Sequence, residues 1–515
     1  MNYEGQYVPI GGPVKQRYNI CDGFDELFAV ADELFDDLKR ELVSAEMKLL
    51  EHSDVEERVA EKGLEILRQL VQVHFDVKAA EEVRRESVTG LDGVVRNHRR
   101  EGCKRSLETL FGEITVTRVG YSQRGATSLF PLDGELNLPE DKYSHSLMRR
   151  ASRESIRGSI DEAVSSIVET TGGVVPKRQL QDLAVDAAQD FEAFYASQSS
   201  EGVEETPDPL IISLDGKGIV MRQEDLRKQT KQAAANEKHK LKTRLSKGEK
   251  RNRKRMAEVA TVYDVGKHVR SAQSIMGLDE KSTQPRARNK RVWASVEREH
   301  DMVTEEAFLE ALRRDPGRKR PWAVLVDGQP QQIRNIKTCI TRHQLSGTVL
   351  ILDVVHVIEY LWKAAYCFHA EGSPEAEKWV DKRLLRILEG KSSDVAAGMR
   401  RSATLKRLSK NARKGVDTCA RYLLKNREML KYDEYLKEGF PIATGAIEGA
   451  CRYLIKDRMD ITGARWGLKR AEAILKLRSI KSSDDFDDYW KFYKTQSRLR
   501  VHSSQYQDGP WAQAA

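Results

Sequence analysis

Three apolar runs in this sequence end on aspartate: IISLDGKG with Asp215, AVLVDGQP with Asp327 and VLILD with Asp353. Runs of four or five apolar residues closed by Gly, Pro or Asp read as strands buried on both faces. VATVYDVG (259–266) is a further strand of the same kind. The helical period appears between the runs, in VTEEAFLEALRRD (303–315), where Thr304 is the expected N-cap, and in QQIRNIKTCITRH (331–343). Strands alternating with helices predict a mixed α/β sheet. Carboxylates at the carboxyl ends of neighbouring strands converge on one edge of such a sheet. Desolvation and like-charge repulsion oppose that convergence, and divalent cations relieve both. Hard oxygen ligands suit Mg²⁺ or Mn²⁺, and two such ions activate an attacking oxygen and stabilise a leaving one in phosphodiester cleavage. Taken singly, each Asp-Gly pair also fits an ordinary turn after a strand.

Charge placement adds a second constraint. The chain has 515 residues and a net charge of only +8. Yet between Arg227 and Arg255 thirteen Lys/Arg stand against two acids, Glu237 and Glu249. This run interrupts the sheet region, has few aliphatic residues and barely interleaves acids, so it is expected to contact a phosphate backbone, through Lys247, Arg251, Arg253, Lys254 and Arg255 among others, the plainer alternative being a solvated helix or flexible loop. QPRARNKR (284–291) adds a second basic cluster. The six cysteines form no CxxC pair, which argues against a zinc ribbon or redox motif, and their density argues against a disulfide framework. The start of the chain lacks a signal-peptide pattern, and the most apolar stretch (348–362) is too short and too polar for a membrane span. A cytoplasmic protein without a membrane partner is therefore expected.

Elsewhere, residues 24–87 carry apolar residues at helical spacing (Leu27, Val30, Leu34, Leu38; then Leu64, Leu67, Val71), as an antiparallel hairpin or a dimerising coil. GEITVTRVGYSQ (112–123) reads as a strand or hairpin. Residues 159–187 have a helix, a Thr-Gly-Gly break and a Pro-initiated second helix opening on Lys177 and Arg178. This spacing fits a DNA-binding helix-turn-helix or an ordinary helical hairpin.

The segment PIATGAIEGACRYLIKDRMDITGARWGLKRAEAILKLRSI (441–480) holds Glu448 in a run of small residues that opens a helix, followed by Lys456, Arg458, Arg465 and Trp466. A carboxylate followed by basic residues and one aromatic fits a metal ligand beside bound DNA. The plainer reading of Glu448 is a first-turn acid favoured by the helix dipole, and of Trp466 a packing residue.

Four blocks, LFGEITVTRVGY with PLD soon after, ISLDGKG, ILDVVHVIEYLW and ATGAIEGACRYLIKDRMDITGARW, together resemble a DDE transposase of the Kra-type bacterial insertion-sequence family, distantly related to Mutator-like and hAT transposases. The likeness spans roughly residues 105–480. It implies an RNase H-like catalytic core with insertions, a mainly α N-terminal DNA-binding and oligomerisation region, and two Mg²⁺ (or Mn²⁺). It also implies cleavage at element ends by water, then strand transfer by the freed 3′-hydroxyl. The partners implied are double-stranded DNA, both terminal inverted repeats and target, and further copies of the chain in a homodimer or higher oligomer, in a bacterial cytoplasm at the nucleoid. By the same resemblance Asp215 bridges the metals, and Asp327 and Glu448 complete one site each. Asp353-Val-Val-His356 matches the motif that follows the second aspartate in related superfamilies, which makes Asp353 and His356 supporting residues and Asp353 the alternative second ligand. Arg458 and Arg465 hold the DNA backbone. Relatives often carry cysteine pairs before PLD; YSQRGATSLFPLD has none, so a zinc module there is not supported.

The expected division is a helical region (1–104), a strand and helix-turn-helix-like region (105–196), a linker (197–208), a first catalytic part (209–356) with a basic insertion (225–257), a helical insertion (357–440), a last catalytic part (441–497) and a flexible tail (498–515). A nuclease of the same fold without strand transfer, and a domesticated non-catalytic DNA-binding protein, are the alternatives.

Overall fold

A computed structural model describes residues 25–506 apart from 199–205, 237–244, 247–248, 251, 280–282, 284, 444 and 462. The chain is a multidomain mixed α/β protein that divides into two compact units. One takes in residues 25–151, 161–177 and 494–506, the other 152–160 and 178–493. Among the described residues no helix is long and apolar enough to cross a membrane.

In the first unit two short strands, β1 (Val88–Thr89) and β2 (Val95–Arg96), pair antiparallel. A three-stranded antiparallel sheet follows: β3 (His98–Thr109), β4 (Gly112–Gln123) and β5 (Ala126–Leu129). β4 matches the expected strand; β3 is too charged to be recognised from periodicity. The amphipathic pattern of residues 24–87 becomes helices Asp25–Leu42 and His52–Ala80. The second packs Val71 and Phe75 against Leu107, Ile114 and Val116 of the sheet. Residues 498–506, expected to belong to a flexible tail, continue helix Phe486–Val501 and close on Tyr506. That ring is buried with Val88, Val119, Tyr121 and Leu129, and the Leu91 N–H donates to the Gln505 carbonyl (2.9 Å). The tail's polar composition concealed this one anchoring aromatic. The two helices of the helix-turn-helix pattern, Ile160–Thr170 and Lys177–Ala187, form at the expected places but fall largely in different units.

The second unit is built on a five-stranded sheet: β6 (Leu210–Val220), β7 (Lys254–Asp264), β8 (Arg288–Ser295), β9 (Trp322–Val326) and β10 (Val349–Leu352), in the spatial order β10-β9-β6-β7-β8. β6 pairs antiparallel with β7, and β7 with β8; β9 runs parallel to β6, and β10 parallel to β9. The continuous apolar runs explain the centre. Leu210–Leu214 and all of β9 are buried, as strands covered on both faces must be. β8 was hidden in the sequence by its basic opening: the second half of QPRARNKR, residues 288–291, is the start of this strand. Thr304 is likewise not an N-cap. The helix begins at His300, and the Thr304 hydroxyl bonds back to the His300 carbonyl (2.7 Å).

Both edges of this sheet are closed by side chains. The outward N–H groups of Val292, Ala294 and Val296 donate to Ser483 Oγ, Ser479 Oγ and the buried Glu472 carboxylate, on or just after helix Leu468–Ser482. At the opposite edge the Tyr432 and Tyr435 hydroxyls donate to the carbonyls of Leu352 (2.7 Å) and Leu350 (3.3 Å). Capping edge groups in this way removes the template for pairing with another chain. Tyr432 is fully buried, so Tyr432→Phe leaves a buried carbonyl without its donor and should cost about 1–3 kcal/mol. Urea denaturation followed by circular dichroism should show a lowered midpoint.

Candidate functional site

The strand register sets the site. Ser213 stands opposite Leu325, and Leu352 opposite Val326. Carrying the alignment past the paired positions places Asp215, Asp327 and Asp353 in one row; Asp215, expected to end its strand, instead lies midway along β6, which runs on to Val220, while Asp327 and Asp353 directly follow β9 and β10. Each aspartate is the first charged residue after a buried run, so the row forms where burial of β6 is interrupted and where β9 and β10 end. The Asp353 N–H donates to the Val326 carbonyl (2.8 Å), which fixes its height against β9. Its carboxylate then accepts the Val355 N–H (2.8 Å) and caps helix Val354–Ala365. Capping and burial to 1% exposure hold this side chain in one orientation.

Two later segments complete the site. The Val354 N–H donates to the Ile442 carbonyl (2.9 Å), so the chain returning from the helical insertion passes the end of β10. It then forms helix Gly445–Ala450, which carries Glu448, followed by a π-helical turn, Cys451–Lys456. Such turns recur at functional sites because the extra residue re-aims side chains. Cys451, one turn on from Glu448, directs its thiol to Asp215 Oδ2 (3.1 Å), while Asp215 Oδ1 accepts the Gly216 N–H (2.7 Å). Trp466 locks the far end of the segment. Its backbone bridges to Met221, its N–H donates to the Val220 carbonyl (3.0 Å) and its indole N–H to the Met459 carbonyl (3.0 Å).

The result is a cluster of Asp353, His356 and Glu448, in which one ligand atom from each lies within 4.8 Å of the others. His356 sits one turn into the helix that Asp353 caps. Burial, then Asp353, and more weakly Asp215 and Glu359, raise the Glu448 carboxyl above its ordinary 4.5, against the opposing pull of His356. Glu448 therefore feels both Asp353 and Asp215. Two carboxylates and an imidazole at this spacing suit a divalent cation of intermediate hardness such as Mn²⁺, and also Mg²⁺ with water completing its shell.

Asp327, expected as the second ligand, lies outside this cluster. It ends β9 in the same row, but its carboxylate accepts the Gln329 N–H (2.7 Å), and its backbone carbonyl accepts the Tyr422 hydroxyl (2.8 Å). Both carboxylates accept the N–H two residues on; the one that lies within ligand distance of His356 and Glu448 is Asp353. Among the expected DNA contacts, Lys177 and Arg178 are exposed, with Lys177 paired to Asp161 (2.6 Å). Arg253 is buried. Arg255 donates to the carbonyls of Val296, Asp225 and Glu297, so it braces the loop after β8 and leaves Lys254 as the exposed cation there. Arg458 is also buried, donating to the Ser155 carbonyl (3.0 Å) and lying over the Trp466 ring, so both of these residues serve packing. Lys456 and Arg465 are exposed. Lys247 and Arg251 lie outside the described residues.

Sequence reasoning overlooked Cys451, which lies at helical spacing from Glu448. It overlooked Tyr422 and Tyr432 as well, aromatics standing out in an otherwise basic helical stretch. Compared with known proteins, the chain matches no family model and no curated sequence.

The raised Glu448 carboxyl has a definite sign in stability. Its folded form keeps a proton that the unfolded chain has released, so the metal-free fold gains most below pH 4.5 and loses that gain as pH climbs through the higher folded value. Glu448→Gln should remove this loss and raise the melting temperature of the metal-free protein at neutral pH by about 1–2 °C, a small effect because the side chain is mostly exposed. Loss of a hydrogen-bonding group behind a ligand already weakens metal binding by about 10–100-fold. Glu448→Gln and Asp353→Asn should each weaken Mn²⁺ binding at least that much in calorimetric titration, with Asp327→Asn weakening it far less.

Proposed function

We propose that the chain is a DNA-cleaving and strand-joining enzyme of the DDE transposase type, with an RNase H-like catalytic unit. The observation that carries this reading is the convergence of Asp353, His356 and Glu448 at the carboxyl ends of a five-stranded sheet, with Asp215 close enough to act on Glu448. The sheet supports it. Counted within the unit, the strands lie in the order third-second-first-fourth-fifth; the first, fourth and fifth are parallel and the second is antiparallel to its neighbours. This order supports the RNase H-like reading, with Asp215 on the first strand, Asp327 just after the fourth and Asp353 just after the fifth.

Asp353, His356 and Glu448 would hold one divalent ion, and Asp215, which lies outside that cluster but acts on Glu448, would help to hold a second. Bound there, the ions would supply Lewis-acid stabilisation and an activated water or 3′-hydroxyl for in-line phosphodiester exchange. The protein's own part is positioning. The helix cap fixes Asp353, the Cys451 thiol and the Gly216 N–H orient Asp215, and Trp466 anchors the segment that carries Glu448. In this reading Asp353 takes the ligand role expected of Asp327, while Asp327 secures the helical insertion through Tyr422.

A plasmid carrying the chain's own coding sequence with its natural flanks is the substrate for the test, incubated with purified protein and Mg²⁺ or Mn²⁺. Wild-type protein should nick or cut at the flanks and join the freed ends to new sites. Asp215→Asn and Glu448→Gln should each reduce cleavage by at least about a hundredfold, while duplex binding measured without metal persists. Undiminished cleavage by both variants would remove the proposed active site, and cleavage without joining would leave a nuclease.

A further inference from the structure

The basic run at 227–255 drew attention in the sequence, but a second concentration of charge is better placed. Between residues 400 and 431 eleven Lys/Arg stand against two acids, Asp417 and Glu428. Both acids are engaged, Asp417 by Arg413 (3.0 Å) and Glu428 by Arg427 (3.1 Å). Arg401, Arg407, Lys410, Lys414, Arg421 and Lys425 are all exposed. An ordinary solvated face interleaves acids with bases, as helix Pro374–Leu388 of the same insertion does with Glu375, Glu377 and Asp381 among its cations. The stretch after residue 400 does not.

The geometry gives this charge a direction. Helix Lys414–Lys425 buries Val416, Cys419, Ala420 and Leu423. At 3.6 residues per turn, Lys414, Arg421 and Lys425 fall within about 40° of one another on the opposite side, in a line about 16 Å long. The line ends beside the acidic row. Tyr422, next to Arg421, donates to the Asp327 carbonyl (2.8 Å) and stacks on Tyr360 of the helix that carries His356, with ring centroids 3.9 Å apart. Over about 16 Å a duplex presents on the order of ten phosphates, so a row of cations this long meets several of them.

We infer that the exposed face of helix Lys414–Lys425, with Arg407 and Lys410 before it, is a docking surface for the phosphate backbone of duplex DNA, holding the segment next to the one that enters the Asp353, His356 and Glu448 cluster. This inference rests on the DNA-processing reading above. The insertion thereby acts as a clamp arm whose position is tied to the strand ends by Tyr422 and Tyr432.

The test is duplex DNA binding by fluorescence anisotropy across a range of KCl concentrations, without divalent metal, on the full chain. Each lost phosphate contact lowers the slope of log K against log salt by about 0.9. The triple variant K414Q/R421Q/K425Q should lower the slope by about 2–3 and weaken binding at moderate salt at least tenfold, with an unchanged thermal melt. K378Q/K382Q, on the interleaved helix, should leave the slope as it is. A triple variant that binds with wild-type slope and affinity overturns the docking surface while leaving the enzyme reading intact. Wild-type protein that binds no duplex overturns the enzyme reading itself. If poly-glutamate competes equally well against wild type and triple variant while duplex binding is unaffected by the substitutions, the partner is not DNA and the inference fails.

Discussion

The repulsion among carboxylates gathered at one end of a sheet governs the architecture of this unit. Apolar strands bring Asp215, Asp327 and Asp353 into a row because each follows directly on a buried run, and sheet register leaves little freedom in where they land. A fourth acid, Glu448, is then delivered to the same edge. Gathering such groups has a cost, and the Glu448 carboxyl is raised, first by burial and then by Asp353 and Asp215. The arrangement is compensated by small devices: a helix cap on Asp353, a thiol on Asp215, a backbone N–H on Asp327. None of them supplies a positive charge, and that is the chemistry a divalent cation brings.

The same constraint gives meaning to the helical insertion. Its tyrosines do not merely fill space; the Tyr422, Tyr432 and Tyr435 hydroxyls satisfy carbonyls at the ends and edge of β9 and β10. The insertion is thereby fastened to the backbone that positions Asp327 and Asp353, and its unneutralised cationic face is held at a fixed distance from them. Anchoring through hydroxyl-to-carbonyl bonds also explains why a stretch so rich in lysine and arginine has an ordered place in the fold.

Much of this was legible in the sequence, and the failures have physical causes. The strands of β6, β9 and β10 announced themselves because strands buried on both faces have to be continuously apolar. Their aspartates followed from the same pattern, as did Glu448 from its small-residue setting, although β6 runs on past Asp215 to Val220 because its pairing with β7 continues there. β3 and β8 escaped because edge or solvent-facing strands tolerate arginine and lysine, so their period is written in charge and not in hydropathy. Between Asp327 and Asp353 the sequence pattern could not choose, because strand position puts both in the row; the fold sets Asp353 beside His356 and Glu448. Arg253, Arg255 and Arg458 show the limit of reading function from charge, since a guanidinium offers five donors and is as useful for satisfying buried carbonyls as for meeting phosphate. Tyr506, buried with Val88, Val119, Tyr121 and Leu129, is an aromatic that the polar composition around it hid.

The central claim is that Asp353, His356 and Glu448 form a cation site, and anomalous diffraction from crystals soaked in Mn²⁺ tests it most directly. The account predicts an anomalous peak within coordination distance of Asp353, His356 and Glu448, with Asp215 turned toward the same edge. Well-ordered side chains with no peak between them, or a peak held by Asp327 without Asp353, would contradict it.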